Sequence, residues 1–588
     1  MIKGILFFAK FSWKHEKRYL IYLILNQTIL SLIPIVAVVM PRYIINELLG
    51  DQQVFKLSTY IGILVGYTFT ASAMSSWLGW TGFTHKIRVA QAFSTFMHEK
   101  TTRADFADIE SSRYLDMKEK AEKFLFGNWK GFSYVLDLSV ELIGKTVTLI
   151  GVAVVVASLN PIITVVFAAL VLLSSYVEAH IQAKQADMQL SLTLYERRLT
   201  YYGQVMEDSS YGKETRLYNL GDWLIGRERK YADYGYETYK ASNTLGIRSG
   251  VFSSFTGLIQ QAIAYAYLVS QFTAGLISIG DFTMYVGAVM AFSGAMRSFM
   301  QNIVGVRAYR KYWDAVEEYL GIPASMRDNA RKPVPEGSHV IEFCDVSFSY
   351  PGQEGYALRN ISIVLHSGQR ASIVGENGAG KTTFVKLLCR IYDPTEGCIL
   401  LDGIDIRDID YDQYMSLFST VFQDYKLFAL SLKDNVALAE SDSAKDHDVE
   451  MALHQAGFGE KLDSLSEGLQ TLVYRNYDDE GFEPSGGEGQ KIALARALYR
   501  GAPIVILDEP AAALDPRAEY EMYQGFNKLI GNRTAVYISH RLSSTQFCDV
   551  VAVFHNGEII EYGTHYDLLT LGGMYAALWN MQAQYYKD

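Results

Sequence analysis

Gly375-Glu376-Asn377-Gly378-Ala379-Gly380-Lys381-Thr382 fits the pattern G-x-x-x-x-G-K-[ST]. A short apolar run, 371–374, leads into it, and a helical stretch, 383–389, follows. In that setting glycines let the backbone wrap a triphosphate, and N–H groups and a helix N-terminus point at the anion. Lys381 is placed to reach the β- and γ-phosphates, and the Thr382 hydroxyl to ligate Mg²⁺. Gly375, Asn377, Gly378, Gly380, Lys381, Thr382 and Thr383 are the expected nucleotide contacts, and ATP and Mg²⁺ the expected cofactors.

Working outward, β-rich runs at 340–349, 361–364, 504–507, 534–538 and 550–554 alternate with helical stretches. That alternation predicts an α/β domain with a parallel sheet. The run 504–507 ends in Asp508 and Glu509. A buried strand ending in two acids suits Mg²⁺ coordination by Asp508 and activation of a water by Glu509 as general base. Between these elements lies Pro484-Ser485-Gly486-Gly487-Glu488, ahead of a helix starting near Gln490. Ser485 and the N–H groups of Gly486 and Gly487 form a second helix N-terminus suited to a phosphate.

The first half of the chain has a different grammar. Of 588 residues, 49% are hydrophobic and 20% charged, which fits one membrane half and one soluble half. Long apolar runs predict six transmembrane helices, at about 19–49, 56–83, 132–159, 161–181, 250–274 and 282–304, each near the roughly 20 residues a bilayer requires. The links at 84–131 and 182–249 are long and rich in Lys and Arg. The positive-inside rule places them and both termini in the cytosol. Their helical periodicity predicts that helices two to five continue past the bilayer and turn near 108–115 and 211–217. Residues 1–18 read as a basic, amphipathic stretch suited to a cytosolic membrane surface, not a cleavable signal. Residues 324–339 read as a linker, giving domains at 1–323 and 340–588. A net charge of −11 argues against nucleic acid as the main partner. The four cysteines, Cys344, Cys389, Cys398 and Cys548, have no metal-site spacing and read as thiols in a reducing compartment.

Phosphate loop, SGG motif and strand-end Asp-Glu, in this order and spacing, resemble the ATP-binding cassette (ABC) superfamily. Six spans fused ahead of the cassette resemble its exporter half-transporters. The resemblance implies a multidomain fold: an all-α six-helix transmembrane domain followed by an α/β P-loop ATPase domain. It implies two cassettes stacked head-to-tail, each ATP held between one subunit's phosphate loop and the other's Ser485-Gly486-Gly487. By the same resemblance Tyr350 is the residue that stacks on adenine. Gln423 meets Mg²⁺ and the attacking water, His540 is the switch histidine at the γ-phosphate, and Asp515 lies on the loop crossing the dimer interface. The segment 211–217 resembles a coupling turn that enters the partner's cassette.

Departures from the family pattern are Pro484 for Leu, Glu488 for Gln and Ala512 for Ser. All three fall on the face offered to a partner. They raise a heterodimer with a second half-transporter as an alternative to the homodimer, which is preferred because SGG and Asp515 survive. The implied activity is ATP-driven export of a peptide, lipid or amphiphilic small molecule across the cytoplasmic membrane by alternating access. An importer on the same scaffold is the alternative. Six spans oppose a soluble ABC ATPase acting on nucleic acid. Among polar residues within the spans, Gln260, Gln261, Arg297 and Gln301 are the candidates for a cargo cavity. Glu141 and Lys145, spaced i,i+4, are expected to pair with each other.

Overall fold

The computed structural model describes residues 2–126, 132–328, 332–438, 444–509, 529–539 and 542–584. The chain divides into two compact units, Met1–Ala104 with Glu110–Ile322, and Asp105–Ile109 with Pro323–Asp588.

The first unit is helical: α1 (Ile2–Leu49), α2 (Val54–Arg103), α4 (Ser112–Phe126), α5 (Phe132–Leu159), α6 (Pro161–Ser191), α7 (Thr193–Glu207), α8 (Gly212–Leu217), α9 (Gly221–Thr273) and α10 (Ile279–Leu320), with the one-turn α3 (Phe106–Ile109) assigned to the second unit. Among the described residues, five helices are long and apolar enough to cross a membrane: those over Ile2–Leu49, Val54–Arg103, Tyr134–Ser158, Pro161–Gln189 and Ile279–Arg307. The sixth expected span, 250–274, is also helical, within the 53-residue α9, but it falls outside that set. Its serines, glutamines and tyrosines, among them Ser253, Ser254, Gln260, Gln261, Tyr265 and Tyr267, dilute the apolar run.

The 50 residues of α2 span about 75 Å at 1.5 Å per residue, far more than a bilayer core needs. The long links are therefore largely helical: α2 and α9 run unbroken into them, whereas α6 stops at Ser191 and α7 starts at Thr193. The first turn begins slightly earlier than expected, since α2 stops at Arg103, and the second encloses the expected 211–217, where Asp208 caps a 3₁₀ turn (Ser209–Tyr211) before α8 and α9 starts at Gly221. Val38, Val152, Phe167, Ala264, Ala288 and Phe292, from α1, α5, α6, α9 and α10, make a common core. A capping box at Ser278 and Asp281 starts α10, and Arg42 of α1 binds the same aspartate at 2.6 Å.

The N-terminal stretch does not use its whole apolar face against a membrane. Helical geometry breaks at Glu16, and ahead of the break Phe8 is buried. Phe7 and Phe8 lie edge-on to Phe93 of α2, and both contact Trp313 of α10. Gly4 lets that indole approach; a Cβ there would sit 2.7 Å from it. Ile2, Leu6 and Trp13 remain exposed.

The second unit holds two sheets. A four-stranded antiparallel sheet has the order β2 (Leu358–Leu365), β1 (Ile341–Phe348), β4 (Glu396–Leu401), β5 (Ile404–Asp405). A six-stranded sheet has the order β10 (Glu558–Gly563), β9 (Val550–His555), β3 (Arg370–Gly375), β8 (Thr534–Ile538), β7 (Ile504–Asp508), β6 (Phe418–Val421). Its five strands other than β10 pair in parallel. Every residue of β7 and β8 is buried, as central strands covered on both faces require. The core between the sheets centres on Phe384, stacked on Phe343 at 4.6 Å and edge-on to Phe554. Asp105 accepts the backbone N–H of Ser325 at 2.9 Å, and Phe106 packs edge-on against Tyr392.

Next to the paired Cys344 and Cys398 of β1 and β4, Gly397 adopts φ +79°. A Cβ there would lie 2.5 Å from the carbonyl oxygens of Cys344 and Asp345. Gly397→Ala is expected to destabilise this unit by about 2–4 kcal/mol, from a left-handed backbone plus overpacking. The melting temperature of the purified protein checks it; an unchanged transition would contradict the close approach.

Candidate ATP site and candidate cargo cleft

The parallel sheet brings the chemistry together at one edge. β3 runs straight into the phosphate loop, and β7, two strands away across β8, ends in Asp508. The loop's shape is set by Gly375, Gly378 and Gly380 at φ +150°, +80° and +103°. A Cβ on Gly375 would collide with the Phe554 carbonyl, and one on Gly380 would lie 2.6 Å from Leu358. The helix Lys381–Leu388 follows directly. Asn377, Gly378 and Thr382 are exposed at the loop, while Lys381 and Thr383 are buried. The Lys381 ammonium donates to the carbonyls of Gly375 and Glu376 at 2.9 and 2.8 Å. Burial lowers its pKa, while Glu509 and Asp508 pull the other way.

Asp508 is 1% exposed, and neither carboxylate oxygen has a hydrogen-bond partner among the described residues. Burial, then the charge of Glu509, pushes its pKa up to about 6, with Lys381 opposing. Glu509 follows in the left-handed region, φ +52°. Its N–H donates to Ile538 of β8 at 2.9 Å, and its Oε2 accepts the Gln423 amide at 2.8 Å. Gln423 sits on the turn after β6, the strand beside β7.

Tyr350 lies just past β1, packed against Phe348 and Tyr392, with Lys386 5.3 Å from its ring centroid. Its hydroxyl is 3.1 Å from the Thr383 hydroxyl, so the expected adenine residue and the phosphate-loop helix are tied together. His540 and Asp515, and Ala512 beside it, lie outside the described residues.

Ser485 is the N-cap of the helix Gly486–Arg500 in a full capping box: its Oγ accepts the Glu488 N–H, and Glu488 accepts the Ser485 N–H at 2.9 Å. The Ser485 hydroxyl also donates to Glu488 at 2.7 Å. These bonds, ahead of a modest opposing burial, hold the Glu488 carboxyl below its ordinary pKa. Lys461 stands 3.7 Å from it. Ser485 and Gly486 are exposed. Two partners escaped sequence reasoning. Thr383 meets Tyr350 instead of standing free on the loop, and Tyr425 donates to the Gly486 carbonyl at 2.9 Å. No local pattern marks either, since both depend on strands far apart in the chain.

In the helical unit the four cavity candidates separate. Arg297 and Gln301 line a polar cleft of about 300 Å³ with Glu178, Gln182, Gln185 and serines of α9. Gln261 instead lines a small apolar recess with Leu268 and Val289. Gln260 is buried with its amide nitrogen unpartnered among the described residues. Lys145 and Glu141 pair at 3.6 Å.

With this geometry in view, the comparisons agree. Residues 358–512 match the ABC transporter family. The subtilin transport ATP-binding protein SpaT of Bacillus subtilis is 28% identical over 95% of this chain and 91% of its own length. The nisin transport ATP-binding protein NisT of Lactococcus lactis is 25% identical over 98% and 96%. An ATP-dependent lipid A-core flippase of Methylobacillus flagellatus is 28% identical over 76% and 74%. A bacterial Atm1-family ABC exporter solved with ATP bound shares the fold, with a TM-score of 0.82 and 21% identity over 97% of this chain and 99% of that one. The chain belongs to the ABC exporters: it is a half-transporter, with a membrane-spanning helical domain fused to a nucleotide-binding domain. It is a multi-pass membrane protein whose cassette binds ATP and couples its hydrolysis to transport, and the importer alternative is not favoured.

Ser485→Ala removes the cap of the Gly486–Arg500 helix and is expected to cost about 1 kcal/mol of stability. Chemical denaturation read at the cassette checks it; a cost near zero would mean the capping box is not formed in solution.

Proposed function

We propose that two copies of this chain pair and export a peptide, lipid or amphiphilic small molecule out of the cytosol, with both termini on the cytosolic side. The two relatives that align nearly end to end are named for transport of subtilin and of nisin. The flippase aligns over three quarters. That contrast favours the peptide member of the set. The polar cleft at Arg297 is the part of the helical unit best suited to hold a polar group of the cargo.

In this reading the phosphate loop, with Lys381, binds the β- and γ-phosphates, Tyr350 takes the adenine, and Glu509, steadied by Gln423, removes a proton from the attacking water. His540 and Asp515 keep the roles the family resemblance implies. Ser485, Gly486 and Gly487 close on the partner's γ-phosphate. The residues fit Mg²⁺: a buried carboxylate whose two oxygens are unpartnered among the described residues needs a cation, and Asp508, Thr382 and Gln423 would supply oxygen ligands. The ion would neutralise charge on the phosphates. ATP drives the cycle because it binds the closed cassette pair better than the open one.

The observation that carries the reading is the bond from Gln423 to Glu509 at the mouth of a complete phosphate loop. The test is Mg²⁺-dependent ATPase activity of the subunit purified alone in lipid nanodiscs. Glu509→Gln is expected to lower it about a hundredfold or more while ATP binding persists. Folded wild-type protein that binds but does not hydrolyse ATP would defeat the homodimer and point to a different partner half-transporter.

A pH dependence follows from Asp508. Its folded pKa is raised to about 6, so its charged form is disfavoured in the folded cassette. That penalty grows as pH rises from its unfolded value through 6. A bound cation relieves it, and below pH 6 the cation must displace a proton. The apparent Mg²⁺ affinity of the ATP-bound protein is therefore expected to fall about tenfold per pH unit below 6, beyond the loss due to ATP protonation. Asp508→Asn should remove the excess. A titration of Mg²⁺ at pH 5 and 7.5 showing no difference between wild type and Asp508→Asn would exclude Asp508 as the ligand.

A further inference from the structure

The turn that carries Gln423 does more than present its amide. Tyr425 closes it with an N–H bond to the Phe422 carbonyl at 3.3 Å. On one side of the turn Gln423 holds Glu509. On the other, the Tyr425 hydroxyl donates to the carbonyl of Gly486, the first residue after the N-cap of the helix Gly486–Arg500, the signature helix that follows the SGG motif. The Tyr425 ring fills the place where a side chain at residue 489 would stand: a Cβ on Gly489 would lie 2.8 Å from the Tyr425 oxygen and 3.4 Å from its ring. Gly489 has ordinary helical geometry and a buried position, so its lack of a side chain is explained by this ring and not by backbone strain. The next residue, Lys426, is bound through its carbonyl by Arg496 of the same helix at 3.2 Å. The turn is thus fastened to the signature helix at two points, ten residues apart.

We infer that Tyr425 is a positioning residue linking the ATP site built on this chain's phosphate loop to the signature this chain offers to a partner's ATP. The inference rests on the proposed pairing of two cassettes. Because Gln423 and Tyr425 share one hydrogen-bonded turn, a shift of Gln423 on binding nucleotide moves the carbonyl end of Gly486. The N–H groups of that same first turn face the partner's γ-phosphate. Each site thereby biases the other through a short, continuous set of contacts, one per subunit.

Tyr425→Phe keeps the ring and removes the hydroxyl bond. In nanodiscs, the variant is expected to lose about fivefold in kcat, the factor one net hydrogen bond is worth. Its KM for ATP should stay within about twofold, since no phosphate-loop contact changes, and its Hill coefficient should fall to 1 at an unchanged melting temperature. A drop in kcat that tracks a drop in melting temperature, or an unchanged kcat and Hill coefficient, would overturn the role. If the wild-type chain alone hydrolyses no ATP, the pairing of copies has failed, and amide hydrogen exchange decides instead. ATP added to the unpaired chain should alter exchange at residues 486–489 with Tyr425 and leave it unaltered with Phe; the same response in both proteins refutes the link.

Discussion

The cassette is organised around a buried carboxylate, Asp508, that no described residue hydrogen-bonds. Removing an ionised acid from water costs several kcal/mol unless it is paired. Asp508 is held at the end of a wholly buried strand with neither oxygen bonded among the described residues. Lys381, whose charge acts on Asp508, turns its hydrogen bonds to the carbonyls of its own loop. Direct pairing of the two side chains would stabilise the empty site and would have to be broken for ligand to enter. With the Lys381 ammonium on its own loop carbonyls, one centre is left for phosphate oxygens and another for a metal, on β-strands that flank β8.

The same logic applies to the helical unit. Among the described residues, five long helices are apolar enough to cross a membrane. α9 is as long as α2 yet carries amides, hydroxyls and a buried Gln260 through the stretch expected to cross the bilayer. In hydrocarbon such groups are costly, so they belong where protein or water can meet them. The cleft lined by Arg297, Gln301 and α9 serines is one such place. The same stretch of α9 also exposes Val251, Phe255, Leu258 and Val269, so one helix offers both an apolar face and polar groups.

The fold class was legible because two periodicities and one eight-residue motif each depend on local chemistry. The phosphate loop, the strand-end acids and the SGG turn are contiguous, so the loop, the neighbouring Asp508 and the exposed Ser485 could be named from residue type and spacing. The limits of that reading are also physical. The amphipathic N-terminus shows its apolar stripe in sequence, but not that Phe93 and Trp313, some 85 and 300 residues on, would cover part of it. The bond of Tyr350 to Thr383 depends on β1 passing beside the phosphate-loop helix. The break at Glu16 has no proline or glycine to announce it, only the charged run 14–18 where the basic stretch gives way to the apolar span.

The signature shows how far a departure from a family pattern can go without changing local structure. A capping box accepts Glu or Gln at its third helical position, and Glu488 fills it, with Ser485 in reciprocal bonds. Pro484 stands just outside the cap, where no backbone N–H is used and where its ring biases Glu483 toward extended backbone. Both substitutions therefore leave the helix start intact. What changes is charge. Glu488 adds a carboxylate to a helix N-terminus that would otherwise present only positive partial charge, and its low pKa keeps it ionised. Lys461 at 3.7 Å offsets part of that charge. The Ser485 hydroxyl, which donates to Glu488, must turn away from it to meet a phosphate. The cost of these departures thus falls on the partner's nucleotide, not on this chain's own, so a paired site would be limited by signature electrostatics while its phosphate loop remains complete.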